Sequence, residues 1–250
     1  MHHKFIKSIF LVCATFLFTA CNSNMKDPKT LVLGTDPTYS PYERIGPDGQ
    51  CEGFDIDVAQ AIAKKLNKTL VIKQFGFTAL ILALKQDKVD FVLAGMSITP
   101  SREKEITMIP YQGDPVTSLQ LVFWEKAPQE VQKITDLNLV AVMVGTCEED
   151  YLREFPSITY KSLENTTEIM MDLQYGKSQA ALIESKVAKV LQKQFPEIQL
   201  VEIPLEEKDW TIGKGVGMEK SNSLLAEQVR CAIEELKAEG TLKKLEEKWM

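Results

Sequence analysis

Short apolar runs alternate with segments of helical periodicity along this chain, and the whole alternation occurs twice. An apolar run bounded by turn residues is typical of a buried strand, whereas apolar residues at every third or fourth position indicate a helix. The predicted strands cover residues 31–34, 70–75, 90–94, 139–142, 158–160, 180–183 and 200–203. The predicted helices cover residues 56–66, capped by Asp55, then 78–86, 148–155, 164–175, 185–195 and two C-terminal segments separated at Gly240. This alternation predicts an α/β fold with two units, each a mainly parallel sheet flanked by helices.

Two extended stretches, residues 116–124 and 210–218, interrupt the alternation. They predict two hinge crossovers between a first lobe, residues 30–114 and 211–250, and a second lobe, residues 115–210. Ligands of such sheets bind beyond the carboxyl ends of the strands. Two lobes that face each other across a crevice are therefore expected to close on a small molecule.

The first residues have the features of an export signal. Residues 1–20 contain a short basic region and an apolar run that is shorter than the roughly 20 residues of a membrane-spanning helix. Residues 18–20 resemble a bacterial lipobox, which predicts lipidation of Cys21, and residues 21–29 would form a polar tether. The chain is therefore expected in the periplasm or cell envelope. The alternative is a secreted protein that is cleaved and released without a lipid.

Charge and residue types exclude several classes of function. The net charge of −6 becomes −8 once the two leader lysines are removed, which disfavours nucleic acid as a partner. His2 and His3 are the chain's two histidines, so a cleaved chain has neither a histidine-based triad nor a zinc site with imidazole. The glycine-rich residues 213–217 lie between β-prone segments and are predicted as a backbone crossing, without a cofactor. The three cysteines after Cys21 have no close spacing and are predicted to be free thiols.

Four stretches together resemble one family. They are Gly34-Thr35-Asp36-Pro37-Thr38-Tyr39-Ser40-Pro41-Tyr42, Gly53-Phe54-Asp55-Ile56-Asp57, Ala94-Gly95-Met96-Ser97-Ile98-Thr99-Pro100-Ser101-Arg102 and Val144-Gly145-Thr146. The chain resembles, over residues 30–249, the polar amino-acid-binding proteins of ABC importers. It is most similar to the arginine-binding members of the lysine, arginine and ornithine branch. The resemblance implies a two-lobed periplasmic-binding-protein-like fold, no enzymatic activity and no cofactor. It implies that L-arginine, with lysine and ornithine as alternatives, is delivered to a transmembrane permease.

The resemblance also implies a site for the ligand carboxylate. A carboxylate suits a fixed bidentate cation, and Arg102 is expected to supply it. Ser97 and the backbone N–H groups of Gly95 and Cys147 would add donors, with Met96 in the same stretch. The alternative for Arg102 is a surface pair with one of the glutamates at 103 and 105. The alternative for Cys147 is an inert small residue, since a thiol is a weak donor.

The ammonium and the side chain of the ligand would contact other residues. Glu184 matches the acid that receives the ammonium, and its alternative is an ordinary first-turn acid of a helix. Asp36 matches the acid that meets the distal cation, while Tyr39 and Phe77 match aromatic positions that enclose the ligand side chain, unless they belong to the lobe core. Glu148 lies near the predicted carboxylate site, where it would either repel the carboxylate or favour a cationic side chain. Glu43 is a weaker candidate of the same kind.

Two other classes of function use the same fold. One is an enzyme, since some relatives are dehydratases of cyclic acids that hold a carboxylate with arginine. The other is a surface module that senses the ligand without transporting it. The pocket of aromatic and acidic residues argues against the enzyme.

Overall fold

The computed structural model describes residues 27–113, 115–125 and 131–250. The predicted signal peptide, Cys21 and most of the predicted tether lie outside those residues. Within them, no helix is both long enough and apolar enough to cross a membrane. The strands are β1 (Thr30–Thr35), β2 (Thr38–Tyr39), β3 (Glu43–Ile45), β4 (Cys51–Glu52), β5 (Thr69–Gln74), β6 (Phe91–Val92), β7 (Thr107–Gln112), β8 (Ser118–Phe123), β9 (Leu139–Met143), β10 (Thr159–Leu163), β11 (Ala180–Glu184), β12 (Gln199–Pro204) and β13 (Lys214–Met218). The helices are α1 (Phe54–Lys65), α2 (Leu80–Lys85), α3 (Pro100–Glu105), α4 (Cys147–Leu152), α5 (Thr166–Gln174), α6 (Ser185–Gln194), α7 (Ser223–Ala238) and α8 (Thr241–Trp249).

The first sheet has five strands in the order β5-β1-β6-β13-β7. β1 runs parallel to β5 and β6, whereas β13 runs antiparallel to β6 and β7. Both faces of β1 are covered: Leu31 and Leu33 belong to one apolar cluster and Val32 belongs to another. Because successive side chains point to opposite faces, a strand covered on both sides reads as a continuous apolar run.

The second sheet repeats this arrangement in the order β10-β9-β11-β8-β12. β9 is parallel to β10 and β11, and β8 is the antiparallel strand. In β9 the side chains again alternate, with Val140 and Val142 in one apolar cluster and Ala141 and Met143 in the cluster that contains Leu31. The two sheets confirm the predicted α/β fold with two lobes, each a mainly parallel sheet flanked by helices.

The first crossover includes residues 115–117 and the second is formed by residues 205–213, and an antiparallel bridge pairs Val116 with Thr211. The second crossover enters β13, which lies between β6 and β7. The chain then ends in α7 and α8, both of which pack against α1. The two extended stretches predicted as hinge crossovers lie mostly in the sheets: residues 118–123 form β8 and residues 214–218 form β13, so only residues 116–117 and 210–213 belong to the connecting segments.

Two local predictions differ from the structure. The residues between the first predicted strand and the first predicted helix, for which no regular structure is predicted, contain a small antiparallel sheet of β2, β3 and β4. Asp55, interpreted as the cap of α1, lies inside the first turn behind Gly53. Its buried carboxylate accepts hydrogen bonds from the Gly95 N–H at 2.7 Å and from the Tyr111 hydroxyl at 2.6 Å. Asp55 therefore fastens α1 to the ends of two strands instead of capping the helix.

Candidate ligand-binding site between the lobes

A pocket lies between the two lobes, where the carboxyl ends of their parallel strands face each other. Its wall combines the polypeptide that follows β1, β5 and β6 with the end of β9 and the start of α4. The lining residues are Tyr39, Phe77, Ala94, Gly95, Ser97, Arg102, Met143, Thr146, Cys147, Glu148 and Lys214. Seven of the ten residues predicted to bind ligand are in this wall, and Asp36, Met96 and Glu184 are not.

Arg102 extends from α3 across the boundary between the lobes. Thr99 caps α3 and Pro100 begins it, so this helix starts in a well-defined position. The Arg102 guanidinium donates to the Ser97 carbonyl at 2.7 Å and to the Gly145 carbonyl of the other lobe at 2.9 Å. An arginine has five N–H donors, so these two bonds leave donors for a carboxylate in the pocket.

The alternative for Arg102, a surface pair with Glu103 or Glu105, is not what the structure shows. Glu105 pairs instead with Lys85 at 2.5 Å, on the outside of the first lobe. The contacts with the Ser97 and Gly145 carbonyls hold the Arg102 side chain toward the pocket.

Two aromatic rings form one side of the pocket. The Arg102 guanidinium carbon lies 5.3 Å from the centroid of the Phe77 ring. Tyr39 stacks on Tyr42, with ring centroids 5.9 Å apart and planes inclined by 14°. Tyr39 and Phe77 both pack in the apolar cluster and line the pocket, so the two interpretations of these residues are compatible.

Asp36 lies at the end of β1, beneath the pocket wall. Its carboxylate accepts hydrogen bonds from the Thr38 hydroxyl and the Phe77 backbone N–H, each at 2.9 Å. Burial raises the pKa of Asp36, and these two hydrogen bonds oppose the shift. In this position Asp36 fixes the backbone that carries Tyr39 and Phe77.

Gly95 and Met96 contribute to the wall and to the core behind it. The Gly95 N–H, predicted to donate to the ligand, donates to Asp55 instead, because that buried carboxylate needs donors. Gly95 has φ +54°, and a Cβ there would lie 3.0 Å from the Tyr39 ring. Met96 is buried in the apolar cluster that contains Val32.

Cys147 begins α4 after the capping residue Thr146. Its sulfur lies 3.6 Å from Ser97 Oγ and 3.4 Å from Glu148 Oε2, and its single S–H can donate to either. Burial and the nearby Glu148 carboxylate raise the pKa of Cys147 to about 12. The thiol is therefore protonated at neutral pH, which makes it an inert wall residue.

Glu184 ends β11 behind the pocket, where Lys214 of the second crossover meets it. Glu184 accepts a hydrogen bond from the Tyr42 hydroxyl at 2.7 Å and forms an ion pair with the Lys214 ammonium. Lys214 also donates to Ser97 Oγ at 2.9 Å. Burial alone would lower the pKa of Lys214, but Glu184 and the other nearby acids reverse that effect and raise it.

Sequence reasoning missed Lys214. The residue lies in the glycine-rich stretch that was interpreted as a backbone crossing, and that interpretation is correct for the backbone. The available signal was a charged residue among β-prone neighbours in a strand that is buried along its length. A buried lysine is rare unless it is paired, so a lysine at this position predicts a buried acidic partner.

A second buried acid lies behind Tyr42. Glu43 is fully buried, and neither of its carboxylate oxygens has a hydrogen-bond partner. Burial, followed by the neighbouring Asp55 carboxylate, holds the pKa of Glu43 well above its usual range. Glu43 is therefore a core residue whose neutral form is favoured by burial, and it is not part of the pocket wall.

Residues 31–250 match the model of the bacterial extracellular solute-binding proteins, family 3. The chain is a member of family 3. One family 3 relative is the probable ABC transporter arginine-binding protein ArtJ of Chlamydia trachomatis serovar D, which is 40% identical over 246 residues, covering 98% of this chain and 95% of ArtJ.

Two solved structures of similar fold bear on the family 3 site. A Salmonella typhimurium periplasmic binding protein with high arginine specificity superposes with a TM-score of 0.81 at 27% identity, covering 88% of this chain and 99% of that one. An ancestral amino-acid-binding protein, a precursor of cyclohexadienyl dehydratase, superposes with a TM-score of 0.79 at 31% identity, covering 88% and 95%. This family 3 chain therefore has the two-lobed fold of periplasmic binding proteins.

Proposed function

We propose that this protein binds a cationic L-amino acid, with L-arginine as the preferred ligand, and delivers it to the permease of an ABC importer. The observation that carries the proposal is the Arg102 guanidinium, held in the pocket wall by carbonyls from both lobes. An acid, Glu148, and two aromatic rings complete the same wall. This combination complements an amino acid that has a carboxylate at one end and a cation at the other.

The ligand groups would have separate partners. The carboxylate binds the free N–H donors of Arg102, with Ser97 and the Cys147 N–H beside it. The ammonium binds near Glu184, whose oxygens retain accepting capacity beyond the bonds to Tyr42 and Lys214. The aliphatic part packs against Tyr39 and Phe77. No bond of the ligand is broken in this process, so the proposed role is binding and release.

Closure of the lobes couples binding to delivery. We place the lobes at residues 30–114 with 211–250 and at residues 115–210, turning about the paired crossovers. Contacts such as the one between Arg102 and Gly145 exist only when the lobes meet, so a ligand that adds contacts to both lobes shifts the population toward the closed form. A permease that recognises the closed form would then receive loaded protein.

Attachment to the membrane would depend on Cys21. Residues 1–20 would direct export, and a lipid on Cys21 would hold the protein beside its permease. Replacing Cys21 with serine is expected to move the protein from the membrane fraction to the soluble fraction. A wild-type protein that is soluble after export would instead show that it is released without a lipid.

Calorimetric titration tests the proposed function. Ligand-stripped protein is expected to bind L-arginine, and Arg102→Ala is expected to weaken binding by at least about 30-fold, because the ligand carboxylate loses its buried partner. Arg230→Ala is the control, since Arg230 lies on α7 and pairs with Glu227 away from the pocket. Unchanged affinity in Arg102→Ala would contradict the site, and no binding of arginine, lysine or ornithine by wild type would contradict the function.

A dehydratase activity is the second candidate, because one structural neighbour is a precursor of such an enzyme. The same Arg102 would then hold the carboxylate of a cyclic acid. Incubation with cyclohexadienyl acids, followed by product analysis, tests this candidate. Product formation that Arg102→Ala abolishes would favour the enzyme over the transport protein.

A further inference from the structure

Glu148 differs from the other acids around the pocket because it faces the pocket and, within the described residues, no cation hydrogen-bonds to its carboxylate. The Lys214 ammonium, which is paired with Glu184, attracts Glu148 only through space. It lies in the first turn of α4 and is only 4% exposed. Among residues 27–113, 115–125 and 131–250, no lysine or arginine nitrogen forms an ion pair with its carboxylate within 4.0 Å. Its hydrogen-bond partner is the Cys147 thiol at 3.4 Å, a weak donor.

The two other acids predicted to contact ligand are already occupied. Asp36 accepts from the Thr38 hydroxyl and the Phe77 N–H, and it lies outside the pocket wall. Glu184 is paired with Lys214 and accepts from Tyr42. Glu148 is therefore the acid with unused hydrogen-bonding capacity in the wall itself.

A buried carboxylate with no directly bonded cation is unfavourable, because the more distant Lys214 charge compensates only part of its removal from water. A ligand that brings its own cation into the pocket supplies the missing partner. A guanidinium is well suited, since it bonds a carboxylate through two parallel N–H groups and stacks on aromatic rings. Phe77 and Tyr39 provide such rings in the same wall.

We propose that Glu148 is the carboxylate that pairs with the side-chain cation of the ligand, and that it sets the preference for arginine over neutral analogues of the same shape. This inference rests on the proposed function and makes it more specific. It replaces Asp36 in the role of cation partner and gives Asp36 a supporting role beneath the aromatic side of the pocket.

Comparison of L-arginine with L-citrulline tests the inference, because citrulline has a neutral urea group in place of the guanidinium. Both ligands are titrated into wild type and into Glu148→Gln. We expect Glu148→Gln to weaken arginine binding by about 10- to 100-fold and citrulline binding by less than threefold, since only arginine loses a charged partner. Asp150→Asn is the matched control: it is in the same helix, and its exposed side chain pairs with Arg153.

The possible outcomes separate the inference from the proposed function. If Glu148→Gln leaves the ratio of the arginine and citrulline affinities unchanged, the role of Glu148 is overturned. A ratio that collapses in Asp36→Asn but not in Glu148→Gln would assign the cation to Asp36. Failure of wild type to bind any cationic amino acid would overturn both proposals together.

A structure of the wild-type protein with bound arginine provides a second test, which needs no variant. The guanidinium nitrogens are expected within about 3 Å of the Glu148 carboxylate oxygens. A guanidinium that contacts Asp36, with Glu148 turned away, would overturn the inference.

Discussion

The ion pair between Lys214 and Glu184 joins the start of β13 to the end of β11 in the second lobe, and each side chain is 3% exposed. Removing both charges from water is expensive, and the pair persists because Tyr42 and Ser97 complete its hydrogen bonds. The two partners therefore depend on each other.

Replacing Lys214 with methionine should leave Glu184 as an uncompensated buried charge. We expect the free energy of unfolding to fall by about 3–5 kcal/mol in urea denaturation. Adding Glu184→Gln to this variant should restore much of the loss, because the buried charge is then removed. A single variant that loses less than about 1 kcal/mol would show that the pair opens to water.

The raised pKa of Glu43 gives the free energy of unfolding a pH dependence. Its pKa is raised in the folded protein, so its contribution to stability is fully present below its unfolded pKa and is lost as pH rises. Glu43→Gln imitates the protonated form at every pH. We therefore expect the variant to be more stable than wild type at pH 8 and equally stable near pH 4, by denaturation at each pH. A difference that stays constant across this range would show that Glu43 is ionised in the fold.

The turn between β9 and α4 brings backbone of the second lobe against the first. Gly145 has φ +74°, and a Cβ there would lie 3.1 Å from Thr78 Cγ2 of the first lobe. A side chain at this position would be strained in its own backbone and would also keep the lobes apart. The carbonyl that Arg102 contacts belongs to the same residue.

Gly145→Ala should therefore weaken ligand binding, because the added Cβ strains the backbone of the turn and also keeps the two lobes apart. We expect the affinity for arginine to fall by about 5- to 30-fold, equivalent to about 1–2 kcal/mol. Gly176→Ala is the control, because Gly176 has φ +62° but no atom within 4 Å of the added Cβ. Unchanged binding in Gly145→Ala, or an equal loss in Gly176→Ala, would contradict the role of this turn.

Strands and helices could be predicted well from the sequence where the pattern of buried side chains determines them. The strands that contain Leu31, Val140 and Ala181 are continuous apolar runs because both of their faces are covered, and this leaves a clear signal. Arg102 and Cys147 could be placed because they follow recognisable motifs at strand ends. Lys214 could not, since its partner Glu184 lies 30 residues away and they meet only through the packing of two lobes. The role of Asp55 was missed for the same reason, because its donors come from distant strands.

The molecule as a whole is held closed by contacts outside the pocket as well as in it. Thr166 at the start of α5 donates to the Thr38 carbonyl of the first lobe at 2.7 Å, and Lys186 of α6 pairs with Glu246 of α8 at 3.0 Å. Such contacts stabilise the closed form without touching the ligand. They should therefore tune the affinity for every ligand equally.

Thr166→Val tests this idea, because valine keeps the shape of threonine and removes the hydroxyl. We expect affinity for all ligands to fall by about 2- to 10-fold, the equivalent of one neutral hydrogen bond, with the ratio of arginine to citrulline unchanged. Thr167→Val is the control, since Thr167 is exposed. A change in that ratio would show that α5 also contacts the ligand.

The position of β13 between β6 and β7 has a consequence for the order in which a newly made chain can fold. All strands of the second sheet lie within residues 118–204, so they are complete before β13 has been synthesised. The first sheet has a gap until residue 218 emerges, and α7 and α8 follow only after that. A chain that crosses a membrane amino terminus first would therefore keep its first lobe unfinished until almost all of it has passed through.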